Sequence, residues 1–156
     1  MLEISIPGRE TMVLRYLVLD YNGTLAGDGE PLPGVRERTA LLSASIEIHV
    51  VTADTHGTVA DMLSDWPVHV KVLGPGHQDR AKLDHVTALG PGNCAAVGNG
   101  ANDSLMLKAA TVGIAVLQDE GAAVSAILAA DVVAPGILQA LDLLAKPMRL
   151  AATLRV

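Results

Sequence analysis

Short apolar runs alternate with longer segments of helical spacing along the whole chain, and this alternation is the feature that most constrains the fold. The runs are rich in Val, Ala, Leu and Ile, and most of them are followed by Gly, Asp, Asn or Thr. Continuous apolar runs of this length are typical of strands that are buried on both faces of a parallel sheet. Strands that alternate with helices through short loops predict a doubly wound α/β domain with right-handed crossovers.

The pattern predicts one compact domain that spans residues 1–156, without an internal repeat or an interdomain linker. Breaks rich in Gly and Pro set the boundaries of its elements. Strands are expected at 16–19, 46–51, 68–73, 94–97, 112–116 and 132–133, after a hairpin of 2–6 and 12–14. Helices are expected at 35–43, 55–64, 79–89, 120–129 and 137–145, with another that ends near 110 and a last one over 148–154. The segment 26–34 is expected to be a loop.

Composition argues against several classes of function. The formal charge is -6 and Lys and Arg do not cluster, which argues against a nucleic-acid groove. The one cysteine, Cys94, allows no internal disulfide and fits a reducing compartment, where we expect it as a small buried side chain. The start of the chain lacks a secretory signal, and Asp131, Pro135 and Asp142 interrupt the most apolar region, so we expect no membrane helix. These features predict a soluble cytoplasmic protein.

Polar side chains lie near the ends of the expected strands at four places. Asp20 ends the first buried strand, Thr52 follows the second, Lys82 lies near the start of a helix, and the loop 98–103 follows the fourth strand. Ligands bind at the carboxyl ends of strands in open α/β sheets. Each residue also has a simpler interpretation, because Asp and Thr often cap turns and helices and most lysines are solvated. The loop lacks the third glycine of a dinucleotide fingerprint, and the chain has no P-loop.

Taken together, these residues are the set that phosphoryl transfer requires. A carboxylate can attack phosphorus, while a lysine, a hydroxyl and a second carboxylate with a metal neutralise and orient the phosphoryl oxygens. The order and spacing resemble the haloacid dehalogenase superfamily of phosphohydrolases, whose motifs are Asp-x-Asp-x-Thr, a Thr or Ser after a strand, a Lys, and Gly-Asp-Gly-x-Asn-Asp. Here the motifs read Asp20-Tyr21-Asn22-Gly23-Thr24, Thr52, Lys82 and Gly98-Asn99-Gly100-Ala101-Asn102-Asp103.

The resemblance covers the span from Asp20 to Asp103 and implies a three-layer Rossmann-like fold. Within the superfamily, the chain is similar to soluble relatives of the P-type ATPase phosphorylation domain, which keep Asp-x-x-Gly-Thr. The resemblance implies that Asp20 is the nucleophile and becomes an aspartyl phosphate, that Thr52 holds phosphoryl oxygens, and that Lys82 neutralises both anions. Lys82 is preferred to Lys71 because it lies at a helix start after a loop, as the family's lysine does.

The resemblance also implies a Mg²⁺ site, formed by Asp20, Asp103, the amide oxygen of Asn99 and the backbone carbonyl of Asn22. Further contacts to substrate are expected from a second set of residues, namely Gly23, Thr24, Ala53 and Asn102. His56 follows closely after Thr52 and is expected to border the site.

Two positions depart from the family's motifs. Asn22 stands where the family has the aspartate that acts as general acid and base, a contribution of roughly 10²–10⁴-fold. An amide cannot donate and recover a proton, so we expect leaving groups that need none to react best, such as those of acyl phosphates, anhydrides and aryl phosphates. Asn99 stands where the fourth motif has Asp, so one negative charge is missing and metal binding is expected to weaken.

Chain length implies that the site has no cap domain. Only a loop, a helix and a strand separate Thr24 from Thr52, and one helix and one strand separate Thr52 from Lys82. The resulting open site fits a phosphoprotein, or a phosphorylated small molecule that a neighbouring subunit covers, as in capless tetrameric sugar-phosphate phosphatases. The apolar segment 137–154 is a candidate oligomer face, but packing in the core is the preferred explanation for it.

Three functions stay open at this point. The first is a Mg²⁺-dependent phosphohydrolase that acts through Asp20. The second is a regulatory or interaction module that keeps the phosphate site but has lost efficient turnover, and Asn22 and Asn99 favour it. The third is a receiver-type signalling domain, which normally has an acidic pair on its first strand and its phosphoacceptor on a later one, unlike this chain.

Overall fold

The structure is a computed structural model that describes residues 1–54 and 57–156. Its strands are β1 (Leu2–Ile4), β2 (Met12–Leu14), β3 (Tyr16–Asp20), β4 (Ala26–Gly27), β5 (Glu30–Pro31), β6 (Glu47–Thr52), β7 (His69–Val72), β8 (Cys94–Gly98), β9 (Val112–Val116) and β10 (Val132–Ala134). Its helices are α1 (Val35–Ser43), α2 (Thr58–Met62), α3 (Gln78–Leu89), α4 (Ser104–Ala109), α5 (Val124–Ala129), α6 (Ile137–Ala145) and α7 (Pro147–Leu154). Short 3₁₀ turns cover Pro91–Asn93 and Ala101–Asp103.

In the described part of the chain, six strands form one parallel sheet in the order β10–β9–β8–β3–β6–β7. Strand β3 lies between β6 and β8, and Tyr16 pairs with Glu47 on one side and with Cys94 on the other. The chain moves outward from β3 to β6 and β7, then returns to β8 and moves outward to β9 and β10 on the other side. This reversal opens a crevice at the carboxyl ends of β3 and β8, where sheets of this kind bind ligands.

Helices cover both faces of the sheet. Successive residues of a strand point to opposite faces, so Leu17 and Leu19 enter one core while Val18 enters the other. The first core also contains buried residues of α1, α2, α6 and α7, and the second contains buried residues of α3, α4 and α5. The predicted three-layer, doubly wound α/β fold is confirmed.

The two C-terminal helices belong to the first core. Ile137, Leu141 and Leu144 follow the i, i+4, i+7 spacing of one helical face, and all three are buried. Leu150 and Leu154 repeat this spacing on α7 and are also buried, whereas Met148 is 81% exposed. Most of the apolar residues of segment 137–154 are therefore used in packing within the chain.

The structure differs from the sequence-based expectation in two segments near the crevice. The segment 26–34 contains a short hairpin, in which Ala26 of β4 pairs with Pro31 of β5. The expected helix 120–129 begins only at Val124. Gly121 has φ 73, and the N–H of Ala123 donates to the carbonyl of Asn99 at 2.8 Å, so the chain bends there instead of forming a helical turn. The other helices and strands lie within a few residues of their expected positions, and Pro147 begins α7, as proline does at a helix start.

Cys94 is buried, as expected. Burial raises the pKa of its thiol to about 11, so the group is protonated at neutral pH and behaves as a small apolar side chain. None of the described helices combines the length and the apolar character that a membrane crossing requires.

Candidate active site

A charged cluster occupies the crevice. The Lys82 ammonium lies 2.6 Å from Oδ1 of Asp20 and 2.6 Å from Oδ1 of Asp103. Asp20 stands at the end of β3, Lys82 on the second turn of α3, and Asp103 at the end of the 3₁₀ turn that follows β8. Lys82 is 1% exposed and Asp103 is fully buried, so water screens these charges weakly. The cluster holds two carboxylates and one ammonium when all three groups are ionised.

The excess of negative charge changes the proton affinity of Asp20. Burial raises its pKa to about 7, and the charge of Asp103 adds to this effect, while attraction to Lys82 opposes it. Burial alone would lower the pKa of Lys82, but the two carboxylates outweigh that effect and raise it. Lys82 therefore stays charged, and Asp20 is the group that gains or loses a proton near neutral pH.

The loop after β8 fixes the position of Asp103. Its Oδ2 accepts hydrogen bonds from the backbone N–H groups of Asn99 (3.0 Å) and Gly100 (2.8 Å), which leaves Oδ1 for Lys82. A Cβ atom on Gly98 would lie 2.5 Å from the Asp103 carboxyl carbon, so only glycine allows this approach. Gly98 of the fourth motif therefore has a steric reason, which is the close approach of the Asp103 carboxylate to the backbone.

Thr24 connects the first and fourth motifs. Its hydroxyl is fully buried and lies 3.2 Å from Oδ2 of Asp20 and 3.3 Å from Oδ1 of Asn99. A hydroxyl has one proton, so it can donate to only one of these oxygens at a time. The Asn99 amide in turn donates to the carbonyl of Gly121 at 3.0 Å. Asn99 is therefore held between residues 21–25, which follow Asp20 and are called the Asp20 loop, and the loop that follows β9.

Gly23 needs its lack of a side chain for two reasons. Its φ is 75°, in the left-handed region that favours glycine. A Cβ atom would also lie 2.5 Å from Nδ2 of Asn99 and 2.8 Å from Oε2 of Glu120. Tight packing of three segments around Gly23 therefore fixes the turn that follows Asp20.

Thr52, Ala53 and Asn22 lie on the β6 side of the crevice. Thr52 ends β6, the direct neighbour of β3, and its buried hydroxyl accepts the N–H of Asp54 at 3.2 Å. The exposed Asn22 and the half-buried Ala53 line a cavity of about 240 Å³, together with Tyr21 and Met62 among others. The structure thus leaves open space beside the position where the family has its general acid.

The remaining predicted residues lie around the crevice or away from it. Asn102 donates to Oε1 of Gln78 at 2.9 Å on the α3 side, where both line a shallow cavity of about 440 Å³. Lys71 is an exposed residue of β7 and is not part of the charged cluster. His56 lies outside the described residues.

Oxygen atoms are the donors that a cation would meet here. The structure places the carboxylate oxygens of Asp20 and Asp103 beside Lys82 and the amide oxygen of Asn99 beside Thr24, and the family resemblance adds the backbone carbonyl of Asn22 as an expected ligand. Among the described residues, no group of three or more His, Cys, Asp or Glu side chains converges on one metal position. A hard cation such as Mg²⁺ prefers oxygen ligands and keeps several waters, and the raised pKa of Asp20 shows that the cluster favours added positive charge. The residues present therefore fit Mg²⁺.

Gln118 contacts the Asp20 loop and was missed by the sequence analysis. Its side-chain amide donates to the carbonyls of Gly23 (2.9 Å) and Thr24 (2.8 Å), and its oxygen accepts the N–H of Ile137 at 2.8 Å. The residue follows β9 by two positions, at the same edge of the sheet as Asp20. Its place just beyond a strand was the available signal, but an amide side chain is not among the groups that phosphoryl transfer requires.

Sequence comparison gives short matches. No family model matches the chain. An uncharacterized protein of Methanocaldococcus jannaschii is 53% identical over 60 residues, which are 38% of this chain and 64% of that protein. A second uncharacterized protein of the same organism is 46% identical over 39 residues, which are 25% of this chain and 89% of that protein. The chain thus spans about 64% of the length of the first of these relatives.

Solved structures with a similar fold cover most of the chain. A cobalt-bound deoxy-D-mannose-octulosonate 8-phosphate phosphatase from Haemophilus influenzae has a TM-score of 0.73 and 15% identity, over 93% of this chain and 95% of that one. A provisionally assigned HAD superfamily (subfamily III A) hydrolase from Legionella pneumophila has a TM-score of 0.72 and 18% identity, over 90% of this chain and 87% of that one.

A third structure contains ligands. It is a 3-deoxy-D-manno-octulosonate 8-phosphate phosphatase from Moraxella catarrhalis in complex with magnesium, phosphate and KDO, with a TM-score of 0.68 and 17% identity over 91% of this chain and 94% of that one. At these identities the likeness concerns the fold, and it confirms the fold that the four motifs predict. The chain has the fold of the haloacid dehalogenase (HAD) superfamily hydrolases.

Proposed function

We propose that the protein is a Mg²⁺-dependent phosphohydrolase that acts through an aspartyl phosphate on Asp20. The observation that carries this proposal is the buried cluster in which the Lys82 ammonium lies 2.6 Å from both Asp20 and Asp103. A carboxylate at the end of the central strand, with a cation beside it and an open crevice in front, suits attack on a phosphoryl group. Fold neighbours that are named as phosphatases support the same reaction class.

The first step forms a bond between a carboxylate oxygen of Asp20 and phosphorus. The bond from phosphorus to the leaving-group oxygen breaks, and its electron pair departs with that oxygen. Lys82 balances the charge of Asp20 and of the incoming phosphoryl group, while Thr24 orients the carboxylate through its hydroxyl at 3.2 Å. Bound Mg²⁺ would neutralise phosphoryl oxygens, held by Asp20, Asp103, Asn99 and the Asn22 carbonyl.

The second step releases phosphate. Water attacks phosphorus, and the bond to the Asp20 oxygen breaks with its electron pair on that oxygen, which restores the carboxylate. Inorganic phosphate leaves, and the protons of the water stay on it or pass to solvent. In the family the aspartate at position 22 takes the proton from this water, but the Asn22 amide cannot do so. We therefore expect slow hydrolysis and accumulation of the phosphorylated enzyme.

The same substitution favours particular substrates. With no acid at position 22, the leaving oxygen must depart without a proton, which acyl, aryl and anhydride oxygens do more readily than alkoxides. The cavity beside Asn22, of about 240 Å³, has room for a small leaving group. A phosphorylated small molecule or a phosphoprotein in the cytoplasm is the expected substrate, and a second subunit could cover the open crevice in the small-molecule case.

A second candidate is a phosphate-binding regulatory module of the same fold. The observation that favours it is the pair of amides, because Asn22 lacks the acid–base function and Asn99 lacks the charge that the family's motifs supply. Such a module would bind phosphate and Mg²⁺ at the same cluster but would not turn over substrate.

One set of measurements separates the two candidates. The protein is assayed with Mg²⁺ on acetyl phosphate, 4-nitrophenyl phosphate and an alkyl phosphate, and intact mass spectrometry detects a phosphoryl group on the chain. Asp20→Asn is the test variant, and Asp84→Asn, on the exposed face of α3, is the matched control. Turnover and phosphorylation that Asp20→Asn abolishes, and Asp84→Asn preserves, support the enzyme. An absence of turnover with Asp20-dependent beryllofluoride binding supports the module, and loss of both contradicts the two candidates.

A further inference from the structure

Gln118 connects the Asp20 loop to the N-terminus of α6. Its three hydrogen bonds measure 2.8–2.9 Å and reach two segments that are far from it in sequence. Both amide hydrogens are donated to backbone carbonyls, those of Gly23 and Thr24, and the amide oxygen accepts the N–H of Ile137. This geometry requires a side chain that donates two hydrogen bonds and accepts one. An amide side chain has that capacity.

These bonds hold the backbone carbonyls of the two residues that follow Asn22, namely Gly23 and Thr24. The Thr24 carbonyl is held by Gln118, while the Thr24 hydroxyl lies 3.2 Å from the Asp20 carboxylate. The same amide holds the Gly23 carbonyl, and the backbone N–H of Gly23 donates to the Ala26 carbonyl at 2.9 Å. The turn that orients Asp20 is thereby bonded from two directions.

The partner of Gln118 on the other side is part of the core. Ile137 is buried at the first position of α6, a helix whose apolar face packs in the first core. A displacement of the Asp20 loop would therefore break bonds to Gln118, whose side chain is itself bonded to the buried start of α6. Pre-organised geometry of this kind matters in catalysis, because small misplacements of reacting groups reduce rates strongly.

We propose that Gln118 is a positioning residue for the nucleophile Asp20, acting through the backbone of Gly23 and Thr24. It touches neither the phosphoryl group nor the carboxylate itself. The inference rests on the proposed function, and it assigns to the loop after β9 a part in phosphoryl transfer that the four motifs do not contain.

The test uses two substitutions of Gln118 with different chemistry. Gln118→Met keeps the length but makes no hydrogen bonds, and we expect phosphorylation of Asp20 by acetyl phosphate to slow by on the order of tenfold, with KM nearly unchanged. Gln118→Glu keeps the acceptor for Ile137 but places a carboxylate against two carbonyl oxygens, and its defect should be larger at pH 8. At low pH the protonated carboxyl group can donate one hydrogen bond, so its rate relative to the unmutated protein should recover.

Gln139→Glu is the matched control. Gln139 is an exposed residue of α6, and a Cβ atom on Gly136 would lie 3.1 Å from its side-chain oxygen and 3.1 Å from that of Gln118, yet Gln139 makes no hydrogen bond to the Asp20 loop among the described contacts. The same change of charge there should leave the phosphorylation rate within about twofold. A rate ratio that depends on pH for Gln118→Glu but not for Gln139→Glu, in variants that thermal unfolding shows to be folded at each pH, supports positioning.

The outcomes also separate this inference from the proposed function. Binding of beryllofluoride with Mg²⁺ is followed by ¹⁹F NMR in the unmutated protein, in Asp20→Asn and in the two Gln118 variants, with thermal unfolding as a check on folding. If the unmutated protein is neither phosphorylated nor bound by beryllofluoride, the proposed function and this inference both fail. If the unmutated protein reacts and both Gln118 variants match it, only the role of Gln118 is overturned.

Discussion

Helix α3 carries two polar clusters that differ in how burial is compensated. Near its start, Lys82 is buried between two carboxylates, which keep it charged. One turn later, His85 joins a histidine group, defined here as Glu47, His49, His69 and His85, in which Nε2 of His85 lies 3.1 Å from Nδ1 of His49. There burial lowers the pKa of both histidines, so they are mostly neutral at physiological pH.

In the Lys82 cluster, two carboxylates raise the pKa of the buried ammonium and keep it charged, while burial raises the pKa of Asp20 to about 7. In the histidine group, burial lowers the pKa of His49 and His85, so both favour the neutral form. The proposed phosphoryl transfer uses the first arrangement, because it needs a carboxylate with a cation beside it. Cavity size does not identify the candidate site. Among the described cavities, the largest has about 890 Å³ and lies at the amino ends of β3 and β6, near Arg15, Glu47 and Trp66.

Removal of Lys82 is expected to have the largest effect. Lys82→Met leaves two buried carboxylates without their cation, so the phosphorylation rate should fall by about 10²–10³-fold. The free energy of unfolding should fall by about 3 kcal/mol at pH 8. The loss should be smaller at pH 5, where Asp20 can take up a proton. Stopped-flow phosphorylation and urea unfolding measure the two effects, and Lys71→Met on the exposed edge strand is the control. Equal losses in both variants would remove the distinction between the two lysines.

Restoring the missing acid should produce the next largest effect. Asn22→Asp is expected to raise the rate at which an alkyl phosphate phosphorylates Asp20 by roughly 10²-fold, because an acid can then protonate the alkoxide, with little change in the rate of phosphorylation by acetyl phosphate. Single-turnover phosphorylation by each substrate is the measurement, because steady-state phosphate release also contains the hydrolysis step, which a base at position 22 would speed for both. Asn99→Asp supplies the comparison, since it adds a carboxylate at the other altered position and should change both substrates alike. A uniform gain from Asn22→Asp, or none, contradicts the dependence on leaving group.

Proton release tests the charge of the cluster. With the pKa of Asp20 at about 7 in the metal-free protein, the carboxyl is mostly protonated at pH 6 and must lose its proton when Mg²⁺ binds. Affinity should therefore be about tenfold lower at pH 6 than at pH 8, with close to one proton released at the lower pH and few at the higher one. Calorimetry in buffers of different ionisation enthalpy measures both quantities. An Asp20→Asn variant that keeps the same pH dependence would assign the proton to another group.

The histidine group should give the smallest effect. Because the folded-state pKa of His85 lies below its unfolded value, its contribution to stability is complete above about pH 6.5 and is lost as the pH falls. Between pH 7.5 and pH 5, His85→Gln should therefore lose less stability than the unmutated protein, by no more than about 1 kcal/mol. Phosphorylation rates at pH 7.5 should agree within about twofold. A large rate loss would place this group in the site after all.

Local patterns were sufficient to predict the sheet and the helices. The strand that ends at Asp20 and the helices α1 and α6 follow from apolar spacing and from flanking Gly and Pro. The short hairpin of β4 and β5 and the late start of α5 could not be predicted this way, because contacts between distant segments determine them. The N–H of Ala123, for example, bonds to the carbonyl of Asn99 instead of forming a helical turn.

In the candidate site, too, some residues could be predicted from the sequence and others depend on contacts between distant segments. Asp20, Lys82 and Asp103 could be named from order and spacing, and the structure places their charged atoms together. The link from Thr24 to Asn99 and the role of Gln118 depend on where two loops meet, and no local pattern encodes that meeting. A polar residue beyond the fifth expected strand was the only hint that the sequence offered for Gln118.

The span of these contacts has a consequence for folding. Asp20 meets Lys82 across 62 residues of chain, Thr24 meets Asn99 across 75, and Gln118 meets Gly23 across 95. Contacts that close such long loops cannot form in one isolated segment, so the crevice exists only once most of the sheet has assembled. Phosphate and its analogues would therefore bind the native chain alone and raise the stability of the whole domain, which makes hydrogen exchange in the distant strand β10 a reporter of ligand bound at Asp20.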